Sequence, residues 1–411
     1  MHMIQKIIDK MTQYYLIVFV AIVVGFNILL LLLDSVEVLE ILIAVGVLFA
    51  GLIVSTKVKQ KRTFIIALFA ISFLIRFVYA MVIAVPPISD FALMYRAATE
   101  MSQGNLDLMQ NPYFTTWAYQ IGFVTYQSWI IKLFGETIVA LKVLNVLYIA
   151  GTTTLVYLIG EKVFGEKVGR YAGILHLMYL PLFYYAPVLT NQHIATFFFY
   201  FALYFIVRQK ELNFINAIFA GIFICLGNVF RPFGIIFVLS LVLFVVYQFK
   251  SMGKREKLAY LSVIASFYLL FALISQMFVV TGLSETGLSN ENPYWKFVVG
   301  LGQPFNGRYN LEDQELVYTE EPLDQIIAHE KEIIKDRLFI NPISMAKFQV
   351  IKLGSMWGDF ENPVFGLHHL QNSKFVLYYK WHTFEEIFDH FKRMEKVNYT
   401  IVFIGLFGFA I

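Results

Sequence analysis

Long apolar runs separated by short polar breaks make up most of the chain. A helix crosses the hydrocarbon of a bilayer in about 20 residues. Runs of that kind lie near residues 14–33, 38–55, 63–86, 137–160, 171–188, 192–208, 213–230, 231–249 and 257–281. A last run begins near Tyr399 and stops at Ile411, too short to cross, so the natural chain is expected to continue. The segment from Trp117 to Phe134 is apolar but carries Tyr119, Gln120, Tyr126, Gln127, Ser128 and Lys132, which is wet for a lipid-facing span. One long stretch, about 282 to 396, is polar, with a helical part rich in Glu, Asp and Lys around Leu323–Arg337.

The placement of positive charge orients these runs. Lys57/Lys59/Lys61/Arg62, Lys162/Lys167/Arg170, Arg208/Lys210 and Lys250/Lys254/Arg255/Lys257 are the basic connections. Asp34–Glu40, the segment after Pro86 and Thr190–His193 are poor in basic residues. If 117–134 crossed, Lys162 to Arg170 would face outward and the alternation would break. If it lies flat at the outer interface, every basic connection falls inside. The second arrangement is expected, with the N-terminus cytoplasmic.

Composition agrees. Hydrophobic residues make up 58% and charged residues 15%, far from the roughly 25% charged residues of soluble domains, so an α-helical polytopic membrane protein is expected. A single cysteine, Cys225, excludes an intramolecular disulfide and a cysteine-based zinc site. The first apolar run lacks a small-residue cleavage site and reads as a retained anchor.

The candidate chemistry gathers on the outer side. In "VPPISDFALMYRAATEMSQG", Pro86-Pro87 ends one helix, and Ser89 or Asp90 is placed to cap the next. Phe91, Met94, Tyr95, Ala98 and Met101 share one face of that helix, and Arg96, Thr99, Glu100 and Gln103 the other. This is the pattern of a helix lying in the interface and ending at Gly104-Asn105. Asp90 either caps the helix or serves as a general base for an attacking hydroxyl or amine.

Arg231, in "GNVFRPFG", breaks two apolar runs beside a proline. It either snorkels to a lipid headgroup or holds a phosphate, whose geometry suits its fork. Asn191-Gln192-His193 opens another run and could hydrogen-bond a sugar or satisfy a helix end. Arg76 lies inside its run and needs an internal partner, structural first and phosphate second. Trp295 and Tyr309 in the polar stretch could stack on a sugar or form a small loop core. His368, His369, His382 and His390 match no ligand motif, so no metal site is assigned. No nucleotide-binding fingerprint is present.

The order "PPISDFALMYRAA", "IIKLFGE", "YLIGEKVFGEKVGRYAG", "LPLFYYAPVLTNQHIATFFFYFAL" and "FRPFG" resembles the polyprenyl-phosphate-dependent glycosyltransferases of the GT-C class. Bacterial members akin to protein O-mannosyltransferases and aminoarabinose transferases are nearest in pattern. The resemblance covers roughly Thr63 to Phe249, with two more helices before it, and rests on order and sidedness. It implies that Asp90, in the first outer loop, is the base or acceptor-orienting group. It implies that Arg231 holds the donor phosphate and that Asn191, Gln192 and His193 shape the sugar site. Tyr95 and Arg96, beside Asp90, join the candidate substrate contacts.

Three departures stand out. No acid occupies the second outer loop, Asp90-Phe91 stands where several relatives have Asp-Glu, and "TTWAYQIG" stands where some have Lys-Pro-Pro.

The sequence is therefore read as a GT-C-like helical bundle with an extracytoplasmic loop domain. Residues 1–62 form two N-terminal helices, 63–281 the transmembrane core with outer loop 87–136, 282–396 the outer polar region and 397–411 the start of a further helix. The expected activity is transfer of a sugar from a polyprenyl-phosphate carrier to an extracytoplasmic glycan, lipid or protein, in a bacterial cytoplasmic membrane. No nucleic acid is expected as partner. No cofactor is assigned, although some relatives use a divalent metal. Trp295 and Tyr309 are the candidate acceptor-stacking residues. One rival is a polysaccharide polymerase or ligase, in which Arg308, His368 or His369 would matter more than Asp90. The weaker rival is a lipid or solute transporter, which would place polar groups at the midplane.

Overall fold

The computed structural model describes residues 2–33, 38–83, 85–290, 292–316, 321–358, 366 and 384–410. All regular structure among them is helical, as the apolar periodicity requires. Five helices are long and apolar enough to cross a membrane: Ile8–Leu33, Val38–Lys57, Lys61–Val82, Ile138–Phe164 and Lys254–Val280. The expected α-helical polytopic architecture is met. The chain divides into two compact units, Met1–Val47 with Asn292–Glu361 and Val376–Ile411, and Leu48–Glu291 with Asn362–Phe375.

In chain order the helices begin with α1 (His2–Leu33), α2 (Val38–Lys57), α3 (Lys61–Val82), α4 (Ser89–Ser102), α5 (Pro112–Thr116) and α6 (Gln120–Phe134). Then come α7 (Ile138–Phe164), α8 (Glu166–Leu177), α9 (Pro181–Tyr184), α10 (Gln192–Val207), α11 (Phe214–Phe230), α12 (Gly234–Tyr247) and α13 (Lys254–Val280). The last are α14 (Trp295–Gly300), α15 (Leu311–Glu315), α16 (Leu323–Leu338), α17 (Pro342–Trp357) and α18 (Phe384–Ala410).

In the unit built around residues 48–291, α10, α11 and α13 pack together, with α7 on α10 and α3 on α7. Their core continues through Met94, Phe114, Ile121 and Phe123 of the connection between α3 and α7. An aromatic ladder joins α10 to α11, with Phe201 and Phe223 ring centroids 4.4 Å apart. At 15 residues α6 is too short to cross a bilayer.

Several expectations need correction. The expected span at 171–188 is not one helix: α8 stops at Leu177, and α9 is a separate turn starting at Pro181. Proline removes a backbone donor and disfavours helix in the residue before it, so the apolar run cannot stay helical there. The runs at 192–208, 213–230 and 231–249 are helices of 16, 17 and 14 residues, shorter than a full crossing. The run expected near Tyr399 begins at Phe384 instead. Its first turns, Phe384-Glu-Glu-Ile-Phe-Asp-His, are polar enough to hide a helix start from an apolar count.

The buried cations of this unit explain how broken helices survive in apolar surroundings. The last carbonyls of a helix lack intrahelical partners, and that end carries partial negative charge. Arg76, fully buried in α3, donates to the His176 and Leu177 carbonyls at the end of α8, at 3.4 and 2.7 Å. It also donates to Ser72 Oγ at 2.7 Å and lies over the Phe183 ring. Lys142 of α7 donates to Ala80 O and Ile83 O at the end of α3. Arg170 of α8 donates to Ser55 O (2.8 Å) and Val58 O at the end of α2, and pairs with Glu166 at 2.6 Å. The structural reading of Arg76 is thus the one its contacts support.

The α7–α8 corner is tight because Gly169 meets Glu161 N and Tyr157 O at distances where a Cβ would lie 2.6 and 2.7 Å away.

In the other unit, α1 packs against α17 and α18. A Cβ on Gly354 of α17 would overlap the Phe26 ring of α1. The polar part of this unit is tied by Arg337 of α16, which pairs with Asp313 at 2.8 Å and donates to Val298 O. Near α1 and α18, Glu40 pairs with Arg393 at 2.7 Å.

Arg76→Met should leave the two α8 carbonyls unsatisfied, at about 1–3 kcal/mol each. The expected result is a lower melting temperature in detergent, measured by thermal unfolding. An unchanged melting temperature would contradict the capping role.

Candidate functional site

The connection from α3 to α7 builds the site from local signals. The α4 N-cap is Ile88, in extended conformation, and no side chain caps the helix. The expectation that Ser89 or Asp90 caps α4 is therefore corrected. Ser89 sits at a φ of 50°, and Asp90 falls in the first turn, exposed. With 100° between successive helical residues, Asp90 shares an azimuth with buried Met94 and Ala97, four and seven residues on. Asp90 stands at the rim of the packed face. Tyr95 and Arg96 point roughly 140° and 120° away from it. Tyr95 is half-buried against the core, where burial raises its pKa, and Arg96 is exposed.

Asn111-Pro112 starts α5 in the ordinary way, with Asn111 Oδ1 accepting from Tyr113 N at 2.9 Å and Pro112 in the first turn. Buried Phe114 anchors this turn, and the Tyr113 hydroxyl lies within reach of the Asp90 charge. Burial first, and then the charge of Asp90, push the Tyr113 pKa up, so the phenol keeps its proton. Gln120, the first residue of α6, donates from Nε2 to Tyr113 Oη at 3.1 Å.

A close approach then brings α6 to the end of α11. A Cβ on Gly122 would lie 2.3 Å from Val229 O, so only glycine fits. Asn191, just before α10, is 2% exposed and sits in this junction. Its Nδ2 donates to Gln120 Oε1 and to Phe230 O, both at 2.9 Å. Arg231 NH1 donates to Asn191 Oδ1 at 3.0 Å. The helix break at Arg231-Pro232 is itself closed by Asn228 Oδ1, which accepts from Gly234 N at 2.8 Å.

Arg231, Asn191, Gln120 and Tyr113 thus form one hydrogen-bonded series, with Asp90 close enough to act on the Tyr113 hydroxyl. Tyr119 lies beside it: burial raises its pKa, Arg231 lowers it and Asp90 raises it, so both charges reach the same hydroxyl. Burial lowers the pKa of Arg231 from its ordinary value. Unlike Arg170, Arg337 and Arg393, Arg231 has no carboxylate ion-pair partner among the described residues. Of its five N–H donors, one is used by Asn191. A half-buried guanidinium with open donors is suited to a phosphate.

The remaining candidates fall elsewhere. Gln192 is exposed. His193 is buried and donates from Nε2 to Tyr185 O at 2.9 Å. Trp295 and Tyr309 belong to the other unit, where the rings meet edge to face at 6.4 Å and Trp295 Nε1 donates to Asp313 O at 2.9 Å. Arg308 there donates to Ser355 O at 2.8 Å. His368, His369 and His382 lie outside the described residues, as does the side chain of His390. Among the described residues, no group of three or more His, Cys, Asp or Glu side chains could hold a metal ion.

Sequence reasoning missed Tyr113 and the connecting role of Gln120. The signal was there in Gln120, a polar group at the head of an otherwise apolar helix, but polarity alone did not show what it touched.

Gly122→Val should push α6 off Val229 at a cost of about 1–3 kcal/mol. Cys225, one turn before Val229 on the same α11 face and buried, reports this directly. Its labelling by a maleimide should speed up roughly tenfold through local opening; an unchanged rate would show that the close approach is not needed. Among comparisons with known proteins, a family model described as dolichyl-phosphate-mannose-protein mannosyltransferase matches residues 122–275. Neither curated proteins nor solved structures give a match. The matched part holds Asn191 and Arg231, while Asp90, Tyr113 and Gln120 lie before it. The chain is thus similar over α6 to α13 to a family of GT-C membrane mannosyltransferases, in keeping with its helical, GT-C-like architecture.

Proposed function

We propose that the protein is a membrane glycosyltransferase that moves a sugar from a polyprenyl-phosphate carrier to an acceptor on the outer face of a bacterial cytoplasmic membrane. The observation that carries this reading is a half-buried guanidinium with no acidic partner among the described residues, Arg231, linked through Asn191, Gln120 and Tyr113 to the neighbourhood of an exposed carboxylate, Asp90. The mannosyltransferase family match supports the lipid-phosphate donor.

The reaction asks for two charged groups with opposite tasks. An acceptor hydroxyl attacks the anomeric carbon, and its proton passes to Asp90. The bond from that carbon to the carrier phosphate oxygen breaks, and the phosphate leaves with the electron pair. Arg231 stabilises the charge that appears there, in surroundings where burial strengthens the attraction. A single displacement of this kind inverts the anomeric centre. Gln192 is exposed to meet a sugar and His193 shapes the wall behind it, while Tyr95 and Arg96 point away from Asp90 and stand apart from the acceptor path. Trp295 and Tyr309 are proposed as acceptor contacts of the other unit.

Asp90→Asn keeps the shape of the side chain and removes the base. Transfer from labelled polyprenyl-phosphate sugar, in membranes with matched expression, should fall by about 100-fold or more, with carrier binding retained. Activity within about twofold of wild type would remove Asp90 from the chemistry.

A further inference from the structure

The series between Arg231 and Asp90 has a single polarity, and its two ends dictate it. A guanidinium can only donate and a carboxylate can only accept. Because Arg231 donates to Asn191, the atom it meets must be Oδ1, and Asn191 Nδ2 must face Gln120 and the Phe230 carbonyl. Gln120 then presents Oε1 to Asn191 and Nε2 to Tyr113, whose own proton stays available to the nearby Asp90. Turning either amide over would set donor against donor. Asn191 is spent on both sides, with Nδ2 donating twice and Oδ1 accepting, and Gln120 is 8% exposed. Two primary amides buried in an apolar core are costly unless fully satisfied, and here they are satisfied by each other and by the charged ends.

Resting on the glycosyl-transfer reading, we propose that Asn191, Gln120 and Tyr113 are positioning residues that couple occupation of Arg231 by the carrier phosphate to the readiness of Asp90 to take the acceptor's proton. With Arg231 uncompensated, its positive charge polarises each donor in turn, and Tyr113 holds the Asp90 carboxylate firmly. When the carrier phosphate compensates that charge, each donation weakens and the Tyr113 hydroxyl loosens its hold. The carboxylate is then free to accept from the acceptor hydroxyl, which becomes a nucleophile only beside a bound donor. Linkage makes the effect reciprocal: the Asp90 charge, acting back along the same series, must weaken phosphate binding at Arg231. A purely structural role for the two amides, tying α6 to α10 and α11, would change stability without producing this coupling.

The test is a double-mutant cycle on the full chain in lipid nanodiscs, with polyprenyl phosphate lacking a sugar as the probe. Asp90→Asn should tighten its binding about fivefold in the wild-type background and by less than about twofold when Tyr113→Phe is also present. Tyr113→Phe alone should lower the kcat of transfer more than it raises the donor KM. Gln120→Met, which cuts the series one link earlier, should abolish the coupling in the same way and keeps the test open if either variant folds poorly. Equal effects of Asp90→Asn in all backgrounds would overturn the coupling while leaving the transferase reading intact. Failure of the wild-type chain to bind polyprenyl phosphate would overturn both.

Discussion

Backbone carbonyls at helix ends, with no water to receive them, set the terms of this structure. A chain of apolar helices that are broken and shortened produces many such ends, and each must find a donor. Arg76, Lys142 and Arg170 supply it, each from one helix to the C-terminal end of a neighbour. A charge that is costly in apolar surroundings is thereby matched to the negative end of a helix dipole. Breaks at the end of α8 and after α3 become stable features, and the polar connection between α3 and α7 is held where the site is built.

Arg231 follows a different logic. It also stands at a helix end, but donates to a side-chain amide and has no acidic partner among the described residues. The α11–α12 break takes its satisfaction from Asn228, so Arg231 is not consumed by the backbone. Arg76, Lys142 and Arg170 cap helix ends, whereas half-buried Arg231 keeps open donors. The amides behind Arg231 connect it to Tyr113, joining α5, α6, α10 and α11.

Much of the helical architecture was legible in the apolar pattern, because runs such as 38–55 and 137–160 leave little choice but helix. The break at Pro181 was readable in principle, but an apolar count runs through a proline whose consequences depend on who caps the exposed carbonyls. Asp90 and Arg231 drew attention as charges in apolar settings. Tyr113 did not, because a tyrosine in a loop is ordinary until folding places it between the Asp90 carboxylate and the Gln120 amide. Gly122 is similar: its need appears only when α6 meets the Val229 carbonyl. Contacts between segments 40 to 101 residues apart, such as Arg231 with Asn191 or Arg76 with Leu177, leave no local trace.

The central claim is that half-buried Arg231, unlike Arg76 and Arg170, is kept for an anionic lipid phosphate. Binding of polyprenyl phosphate to the purified Arg231→Gln chain tests it most directly, with the melting temperature checked in parallel. A loss of affinity of about tenfold or more at an unchanged melting temperature is the predicted result, since a charge-assisted contact would be removed without disturbing a helix end. Affinity equal to that of the wild type would contradict it and return Arg231 to the lipid headgroups.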